Sequence, residues 1–391
     1  MWIANSLEII MNIFDRLFAG DKQIFDIPVN ELNQYLESLG CANNDIERSY
    51  KQYLGQLLYM SKKKSYFLNF VSIIAGAPLV LYYFVRGIFI KRSRRLDAIC
   101  RSHDFNWMEI IPDSLAAKYK LDTESWNTKG AIHPKDIGFL VRVIYKNFLH
   151  PFFLLKITYK LAKYSALIHR FDPSAIIVHD EFSFTSSIMT ALCERYNVKH
   201  INVQHGEKLF YLRDIFFRFH ECYIWDEHYK SLLIRLKAEQ SQFIIERPLA
   251  VRFNKEDHYH KEYYADYKYY LAIYDEQQIS SIIRSMEFVE KSGKIVKFRP
   301  HPNYSDISLL RKFIPEEKIE YPSVHILDSV ASAANVVGEY STVLTQAFFN
   351  GINVILDDCT YKKRMDVLSD YYYILSSKVK ERLSSYQSCK Q

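Results

Sequence analysis

Glycine and proline are scarce in this chain, since each occurs only 11 times among 391 residues. That scarcity argues against an all-β protein built on many tight turns. The six cysteines are scattered and no two have CxxC spacing, which argues against a disulfide framework or a zinc site and is typical of reduced thiols. Blocks of like charge and internal repeats are also missing, so neither a charged disordered tail nor a solenoid is indicated.

The charge is mild, with a formal net value of +6, whereas a nucleic-acid binder usually carries a denser basic face. We therefore expect no nucleic-acid partner, while attraction to anionic lipid stays open. The chain starts with Trp2, Asn5 and Glu8 instead of a basic region and an apolar core, so we expect no secretory signal and a cytoplasmic protein. The length predicts two domains and an appendage.

Residues 1–95 are predicted to form the helical appendage. Apolar residues recur at helical spacing from Leu7 to Phe18, and again from Asn30 to Met60. The segment 67–85 then carries no charge over nineteen residues and has basic residues on both sides.

Three interpretations of the segment 67–85 are open: a peripheral contact with the inner face of the cytoplasmic membrane, a buried core helix, or a membrane span. Nineteen residues are the lower limit for a span, and Asn69, Ser72 and Pro78 interrupt the apolar run. Basic flanks suit anionic head groups, so peripheral contact is favoured.

From residue 96 onward, short apolar strands alternate with helices, which predicts an α/β fold of two Rossmann-like domains facing a cleft. We place a first domain at 96–250 and a second at 251–391, because the chain turns polar between Glu246 and Lys268. The predicted strands are 96–100, 175–178, 199–203, 222–225, 269–273, 294–298, 324–326, 336–337 and 353–356. The predicted helices after residue 96 are 139–168 with an interruption at Pro151, 184–196, 277–291, 330–334 and 342–350.

Arg299-Pro300-His301-Pro302 follows one of these strands directly. The two prolines stiffen the backbone around His301. A histidine held at the carboxyl end of a strand can donate to a phosphate oxygen, and Arg299 would add a charged donor. The alternative is an exposed loop histidine with no ligand.

Gly338-Glu339-Tyr340-Ser341-Thr342 joins a short apolar strand to an apolar helix. Free amides and the helix dipole at such an N-terminus suit an anion, and the Ser341 and Thr342 hydroxyls can add donors. The alternative is that Ser341 only caps the helix.

Acidic residues and histidines follow two strands of the first domain, as His179-Asp180-Glu181 and as Gln204-His205-Gly206-Glu207. One crossover separates the strands, so we expect both groups to face the cleft, where a carboxylate or imidazole can deprotonate an acceptor. The alternatives are a helix cap at Asp180 and a satisfied loop histidine at His205. Trp225-Asp226-Glu227 repeats the pattern at a third strand.

Several nucleotide and nucleophile motifs are missing, including GxGxxG, GxxxxGK[ST] and GxSxG. The pair Asp357-Asp358 has no third ligand beside it in the sequence. We therefore expect metal-independent chemistry and no cofactor besides an activated co-substrate.

Together, the Arg-Pro-His-Pro loop, the Gly-Glu-Tyr-Ser-Thr turn, the Gly-Ile-Asn-Val-Ile strand and the Gln-His-Gly turn resemble bacterial surface-polysaccharide glycosyltransferases of the GT-B fold. The group includes sialyltransferases, capsule Kdo transferases and CDP-glycerol glycerophosphotransferases, and the resemblance covers roughly residues 96–375. It implies phosphate-binding roles for His301, Ser341 and Thr342, with Pro302, Gly338 and Glu339 in the same loops. The sialyltransferase-like members imply Asp180 or Glu181 as base, although Phe182 stands where they have glycine. The glycerophosphotransferases imply His205.

The resemblance implies a metal-independent, inverting glycosyltransferase that moves an acidic sugar from a CMP-type donor to a lipid-linked, lipopolysaccharide or capsule acceptor. Its expected partners are the nucleotide-sugar donor, a glycan or glycolipid acceptor and the inner-membrane surface. The alternatives are a CDP-glycerol-type polyol phosphotransferase and a non-catalytic, membrane-associated assembly protein with the same fold.

Overall fold

The computed structural model describes residues 21–101, 107–272, 274–302, 305–360 and 362–387. The predicted helix from Leu7 to Phe18 lies outside these residues, as does position 273 at the end of a predicted strand.

The first sheet has six parallel strands in the order β2-β1-β3-β4-β5-β6. The central strands β3 and β4 are buried and β3 is wholly apolar, as expected for a parallel sheet covered on both faces. The strands are β1 (Ala98–Cys100), β2 (Leu121–Asp122), β3 (Ala175–Val178), β4 (Lys199–Val203), β5 (Glu221–Ile224) and β6 (Phe243–Ile245).

The second sheet has four parallel strands in the order β10-β9-β7-β8. Two parallel sheets with helices between their strands confirm the predicted α/β class. The strands are β7 (Ala265–Tyr270), β8 (Val296–Arg299), β9 (Ala333–Gly338) and β10 (Asn353–Leu356).

Helices cover both sheets. In the first half they are Val29–Ser38, Asp45–Leu57, Lys62–Ile88, Trp107–Ile110, Asp113–Lys118, Ile137–Asn147, Pro151–Phe171, Ser186–Glu194 and Glu227–Arg235. In the second half they are Lys255–His258, Glu276–Glu290, Ile307–Leu310, Ile326–Ala331, Thr342–Phe349, Lys362–Leu368, Ile374–Lys378 and Leu383–Gln387. Short 3-10 turns are Ile24–Asp26, Glu124–Asn127, Pro134–Asp136, Leu212–Asp214, Gln240–Gln242, Leu249–Val251, Lys261–Tyr263 and Glu316–Lys318.

The described part of the predicted appendage shares one apolar core with the first sheet. Leu32, Leu36 and Tyr53 belong to the same buried cluster as Ile176 and Val178 of β3. The helix Lys62–Ile88 also packs along the helix Pro151–Phe171, so residues 62–88 contact the helices that cover the first sheet.

One predicted strand, at 324–326, is wrong, because Val324 ends a turn and the helix Ile326–Ala331 begins at once. The carbonyl of Val324 accepts a hydrogen bond from the Arg299 side chain at 2.7 Å, and not from a neighbouring strand. The helix predicted at 330–334 is observed earlier in the chain, at Ile326–Ala331. Strand β7 begins four residues before the predicted 269, because Lys268 is fully buried in it.

Candidate functional site

The two histidine- and acid-bearing turns of the first domain lie side by side. Strands β3 and β4 pair in parallel, so the residues after Val178 and Val203 leave the same edge of the sheet. Asn202 of β4 accepts the backbone amide of Asp180 at 2.8 Å. The rings of His179 and His205 are 4.7 Å apart between centroids. The predicted juxtaposition of these turns is therefore present.

Asp180 and Glu181 lie beneath this edge and not on its surface, with only 3% and 2% of each residue exposed. Asp180 pairs with Arg101, and with Lys160 at 2.9 Å. Glu181 pairs with Lys208. Burial raises the pKa of Glu181, but Lys208 and His205 outweigh burial, and the net pKa falls below its usual range. Both carboxylates are thus held in buried ion pairs.

His205 is the member of this group that reaches the surface, with 26% of its side chain exposed. Its Nδ1 lies 3.7 Å from Oε1 of Glu181. Burial, helped by the Lys208 ammonium, lowers the pKa of His205 to about 4, even though Glu181 acts in the opposite direction. The imidazole is therefore neutral at physiological pH and can accept a proton.

The turn after His205 touches the second domain directly. The backbone amide of Glu207 donates to Oγ1 of Thr342 at 3.0 Å. A Cβ on Gly206 would lie 3.1 Å from the same oxygen, so glycine permits this close approach. The predicted acceptor-side and phosphate-side motifs thus meet at one point.

Glu207 strengthens that junction through its side chain. Its Oε2 accepts from Thr345 at 2.5 Å and from Tyr229 at 2.8 Å, so it joins the helix Thr342–Phe349 to the helix Glu227–Arg235. Burial raises the pKa of Glu207 to about 7.

Ser341 precedes the helix Thr342–Phe349, but its side chain makes no capping bond. Its Oγ is buried, and within the described parts of the chain it has no hydrogen-bond partner. The interpretation of Ser341 as a simple cap is therefore wrong. A buried hydroxyl at a helix N-terminus is suited to a ligand oxygen.

Arg299 does not have the free guanidinium that the sequence predicts for phosphate binding. The residue is 5% exposed, and Nη1 pairs with Glu320 at 2.9 Å while Nη2 donates to the carbonyl of Val324. Glu320 also pairs with the buried Lys268 at 2.6 Å. Arg299 is therefore bound to other parts of the protein at the start of the His301 loop, which corrects its predicted role as a phosphate ligand.

His301 is partly buried, and burial lowers its pKa. Its backbone amide donates to Oγ of Ser305 at 2.8 Å, and that hydroxyl donates to the carbonyl of Ala272 after β7. Pro302 follows on the exposed side of the turn. The His301 loop is therefore tied to the end of the neighbouring strand.

Strand β7 lies between β8, which carries His301, and β9, which carries Gly338. All three strands are parallel, so the loops share one edge, about 10 Å apart at the usual strand spacing. The predicted common edge is present, and one strand separates the two phosphate-site candidates along it.

Gly338 ends β9, and Glu339 follows it into a buried position that is 4% exposed. Glu339 pairs with Arg364 at 3.0 Å. Burial raises the pKa of Glu339 to about 7 against the effect of Arg364. Its Oε1 has no hydrogen-bond partner among the described residues. Glu339 is therefore a protonatable group beside the Ser341 turn.

Other acidic candidates have structural roles. Asp226 caps its helix through the amide of His228 at 3.0 Å and pairs with Arg247 at 2.9 Å. Asp357 accepts from Tyr269 at 2.5 Å, and Asp358 accepts from Ser384. These carboxylates are occupied by the protein itself.

One group of described residues has metal-ligand chemistry: His258, His325 and Asp328, whose ligand atoms lie within 4.8 Å of one another. His258 already bonds Asp328 at 2.7 Å, and His325 pairs with Glu109 at 2.9 Å. The His325–Glu109 contact joins the first domain to the second, and the His258–Asp328 contact lies within residues 251–391. The cluster therefore serves as a contact between the two halves of the chain.

Sequence reasoning missed Arg101, Lys160 and Lys208, which neutralise Asp180 and Glu181, and Arg364, which pairs with Glu339. Lys208 directly follows Glu207, so its position in the turn was a usable signal. The other three are distant in sequence, and only the fold brings them to the site.

No protein-family model and no curated protein matches the chain. The solved structures to which it is similar include a UDP-N-acetylglucosamine 2-epimerase from Rickettsia bellii, at 10% identity and a TM-score of 0.39, covering 68% of this chain and 79% of that chain. A variant of the wall teichoic acid polymerase TagF is 8% identical with a TM-score of 0.45, covering 83% and 88%. The apo lipopolysaccharide outer core galactosyltransferase WaaB is 11% identical with a TM-score of 0.33, covering 75% and 93%. At these values, function has to be inferred from the chain's own residues.

Proposed function

We propose that the cleft belongs to a metal-independent, inverting glycosyltransferase of the GT-B type. It would move an acidic sugar from a CMP-type donor to a lipid-linked, lipopolysaccharide or capsule acceptor at the inner face of the cytoplasmic membrane. One observation carries this proposal: the Ser341–Thr342 helix N-terminus is in contact with the His205-Gly206-Glu207 turn.

The donor side is suited to a leaving phosphate. The first amides of the helix Thr342–Phe349, its positive dipole and the buried Ser341 hydroxyl together suit an anion. His301 lies at the same sheet edge and adds a donor of its own. Holding the phosphate there stabilises the charge that develops as the sugar departs.

The acceptor side supplies the base, and we assign it to His205. Asp180 and Glu181 are each locked in buried ion pairs, whereas His205 is partly exposed and neutral. Its Nδ1 is buried and lies 3.7 Å from the Glu181 carboxylate, so we assign Nε2 as the basic nitrogen.

In the proposed step, Nε2 of His205 takes the proton from the acceptor hydroxyl. The acceptor oxygen bonds to the anomeric carbon as the bond from that carbon to the phosphate oxygen breaks. The electron pair leaves on CMP, so a single displacement inverts the centre.

A CDP-polyol phosphotransferase is the second candidate, and the position of His205 favours it. In that reaction the acceptor oxygen attacks phosphorus and CMP leaves. The resemblance to glycerophosphotransferases implies this histidine as base, and the buried state of Asp180 agrees with it.

Donor assays separate the two candidates. Purified full-length protein is given CMP-, CDP- or UDP-linked donors singly, with and without EDTA, and nucleotide release is measured alongside thermal stabilisation by free CMP, CDP and UDP. Turnover of a CMP-sugar that survives EDTA supports the glycosyltransferase, and turnover of CDP-glycerol supports the phosphotransferase. If no donor is turned over and no nucleotide stabilises the protein, both proposals fail.

A further inference from the structure

The helix Lys62–Ile88 exposes an unusually apolar side. By length and composition it could cross a membrane. Only 22% of its most apolar 18 residues are buried in the protein. Large apolar side chains stand 45–73% exposed along it: Tyr66, Phe67, Phe70, Ile73, Ile74, Leu81, Val85, Ile88 and the adjoining Phe89. A core helix would not show such a surface, and a patch of this kind marks an interaction site.

The other side of the same helix is fixed to the first domain over its whole length. Near its start, Asn69 accepts the amide of Phe152 at 3.2 Å, and near its end the carbonyl of Tyr83 accepts the amide of Ile132 at 2.9 Å. A Cβ on Gly87 would lie 1.7 Å from the Ile132 carbonyl oxygen, so the backbones are in contact there. A helix attached at both ends lies along the domain and does not leave it to span a bilayer.

A second helix extends the apolar surface. From Ile137–Asn147 and the residues just after it, Val141, Tyr145, Phe148 and Leu149 are 56–82% exposed. A groove of about 440 Å³ lies between these two helices and the helix Pro151–Phe171, with Leu81 and Phe84 on one side and Phe148 on another. We call this combined surface, residues 66–89 and 141–149 with their groove, the apolar face.

Charge of one sign borders the apolar face. Neither 62–96 nor 137–149 contains an acidic residue. Six exposed cations form no salt bridge within the described part of the chain: Lys62, Lys63, Lys91, Arg95, Arg142 and Lys146. Lys64, Arg92 and Arg94 each pair with an aspartate.

We propose that the apolar face docks flat on an anionic bilayer, with a lipid chain in the groove and the six cations on head groups. Amphipathic surfaces of this kind lie about 5–10 Å deep in the interface, and cations near the surface strengthen the attraction to anionic lipid. A second copy of the chain is a poorer occupant, because two such faces would bring their cationic borders together. The proposal does not depend on the transferase activity.

Flotation of the full-length protein with vesicles tests the docking. Binding to phosphatidylglycerol-containing vesicles, weaker binding to pure phosphatidylcholine, and loss with rising salt are expected. Phe70→Ser with Ile73→Ser removes two side chains that are 62% and 65% exposed and should weaken binding at least about tenfold. Arg142→Glu with Lys146→Glu should abolish the preference for anionic lipid.

The matched control is Ile295→Ser, at a side chain that is 50% exposed and lies beside the second sheet. It should bind vesicles as the parent does, and all variants should keep the parent's melting temperature because the changed side chains are exposed. Equal binding to both lipids, no binding, or resistance to alkaline carbonate extraction would overturn the proposal. A vesicle-free dimer that Phe70→Ser with Ile73→Ser abolishes would assign the face to a second copy instead.

Discussion

The amide of Glu207 donates to the hydroxyl oxygen of Thr342 across 135 residues of sequence, at 3.0 Å. This bond joins the turn after β4 to the helix that follows β9. It places the candidate base and the candidate phosphate site on either side of one contact. A substitution at this contact should therefore affect both domains.

We expect Gly206→Ala to weaken donor use. The new Cβ would lie 3.1 Å from Oγ1 of Thr342, so the turn at residue 206 or the Thr342 side chain has to shift by a few tenths of an ångström. The KM for donor should rise several-fold, with a cost in stability of roughly 1 kcal/mol. Steady-state kinetics and urea unfolding measure the two effects.

The same substitution at Gly138 is the control, because outside its own helix no atom lies within 4 Å of a Cβ there. Gly138→Ala should leave the kinetics at the parent's values and keep or raise the stability, since alanine is favoured over glycine within the helix Ile137–Asn147. Thr342→Ala in the Gly206→Ala background should cost less than the sum of the single changes, since the clash is gone. Strict additivity would contradict a direct contact.

Ser341→Ala should separate ligand binding from capping. Because the hydroxyl makes no capping bond, unfolding free energy should change by less than about 0.5 kcal/mol. Thermal stabilisation by CMP or CDP should fall. Asn44→Ala is the contrast: Asn44 caps its helix through the amide of Glu47, so it should cost about 1 kcal/mol and leave nucleotide stabilisation unchanged.

His205→Gln should abolish turnover by about 10²–10⁴-fold while nucleotide stabilisation survives. The base must be neutral, and the pKa of His205 is about 4. Activity of the parent should therefore be lost as pH falls through about 4, and His205 should cause no loss between pH 5 and 8. A kcat/KM profile that rises between pH 6 and 7 and is unchanged in the variant would exclude His205.

Arg299→Ala should act on stability before ligand binding. It removes one of two cations from the buried Glu320 and should cost about 3 kcal/mol. Arg311→Ala breaks an exposed pair with Glu316 and should cost less than about 1 kcal/mol. By contrast, His301→Ala should keep its stability and lose nucleotide stabilisation. A stable Arg299→Ala that fails to bind nucleotide would restore Arg299 as a ligand.

Glu339 should make stability depend on pH. Its folded pKa is about 7 and its ordinary value 4.5, so the folded state binds this proton more tightly. That stabilisation is complete below pH 4.5 and is lost as pH rises to about 7, a change of roughly 3 kcal/mol at most. Relative to the parent, Glu339→Gln should therefore melt higher at pH 8 than at pH 5. A constant difference would contradict the shift.

Some strands could be predicted to the residue. Strands β3, β4 and β10 match their predicted bounds, and β3 is a wholly apolar run. Strand β7 was predicted at 269–273 and is observed at Ala265–Tyr270, because Asp266 and Lys268 look polar in the sequence. Glu320 and the carbonyls of Tyr263 and Ser329 explain why Lys268 is buried.

The loops of the candidate site were predictable, but their partners were not. His205, His301 and Ser341 follow strands that periodicity identifies. Arg299 was misassigned because its acid, Glu320, is 21 residues away and nothing local links them. Pairing over such distances depends on how strands are ordered in the sheet, which no local pattern records.

Glu320, held between Lys268 of β7 and Arg299 of β8, has a further consequence. A slip of either strand by one residue would turn its cation to the opposite face of the sheet and take one of the two cations away from the buried Glu320. A sheet misaligned in this way loses a buried ion pair, so the pair favours the native register of β7 and β8. The position of the His301 loop, which directly follows β8, is therefore fixed in part by a carboxylate on another segment of the chain.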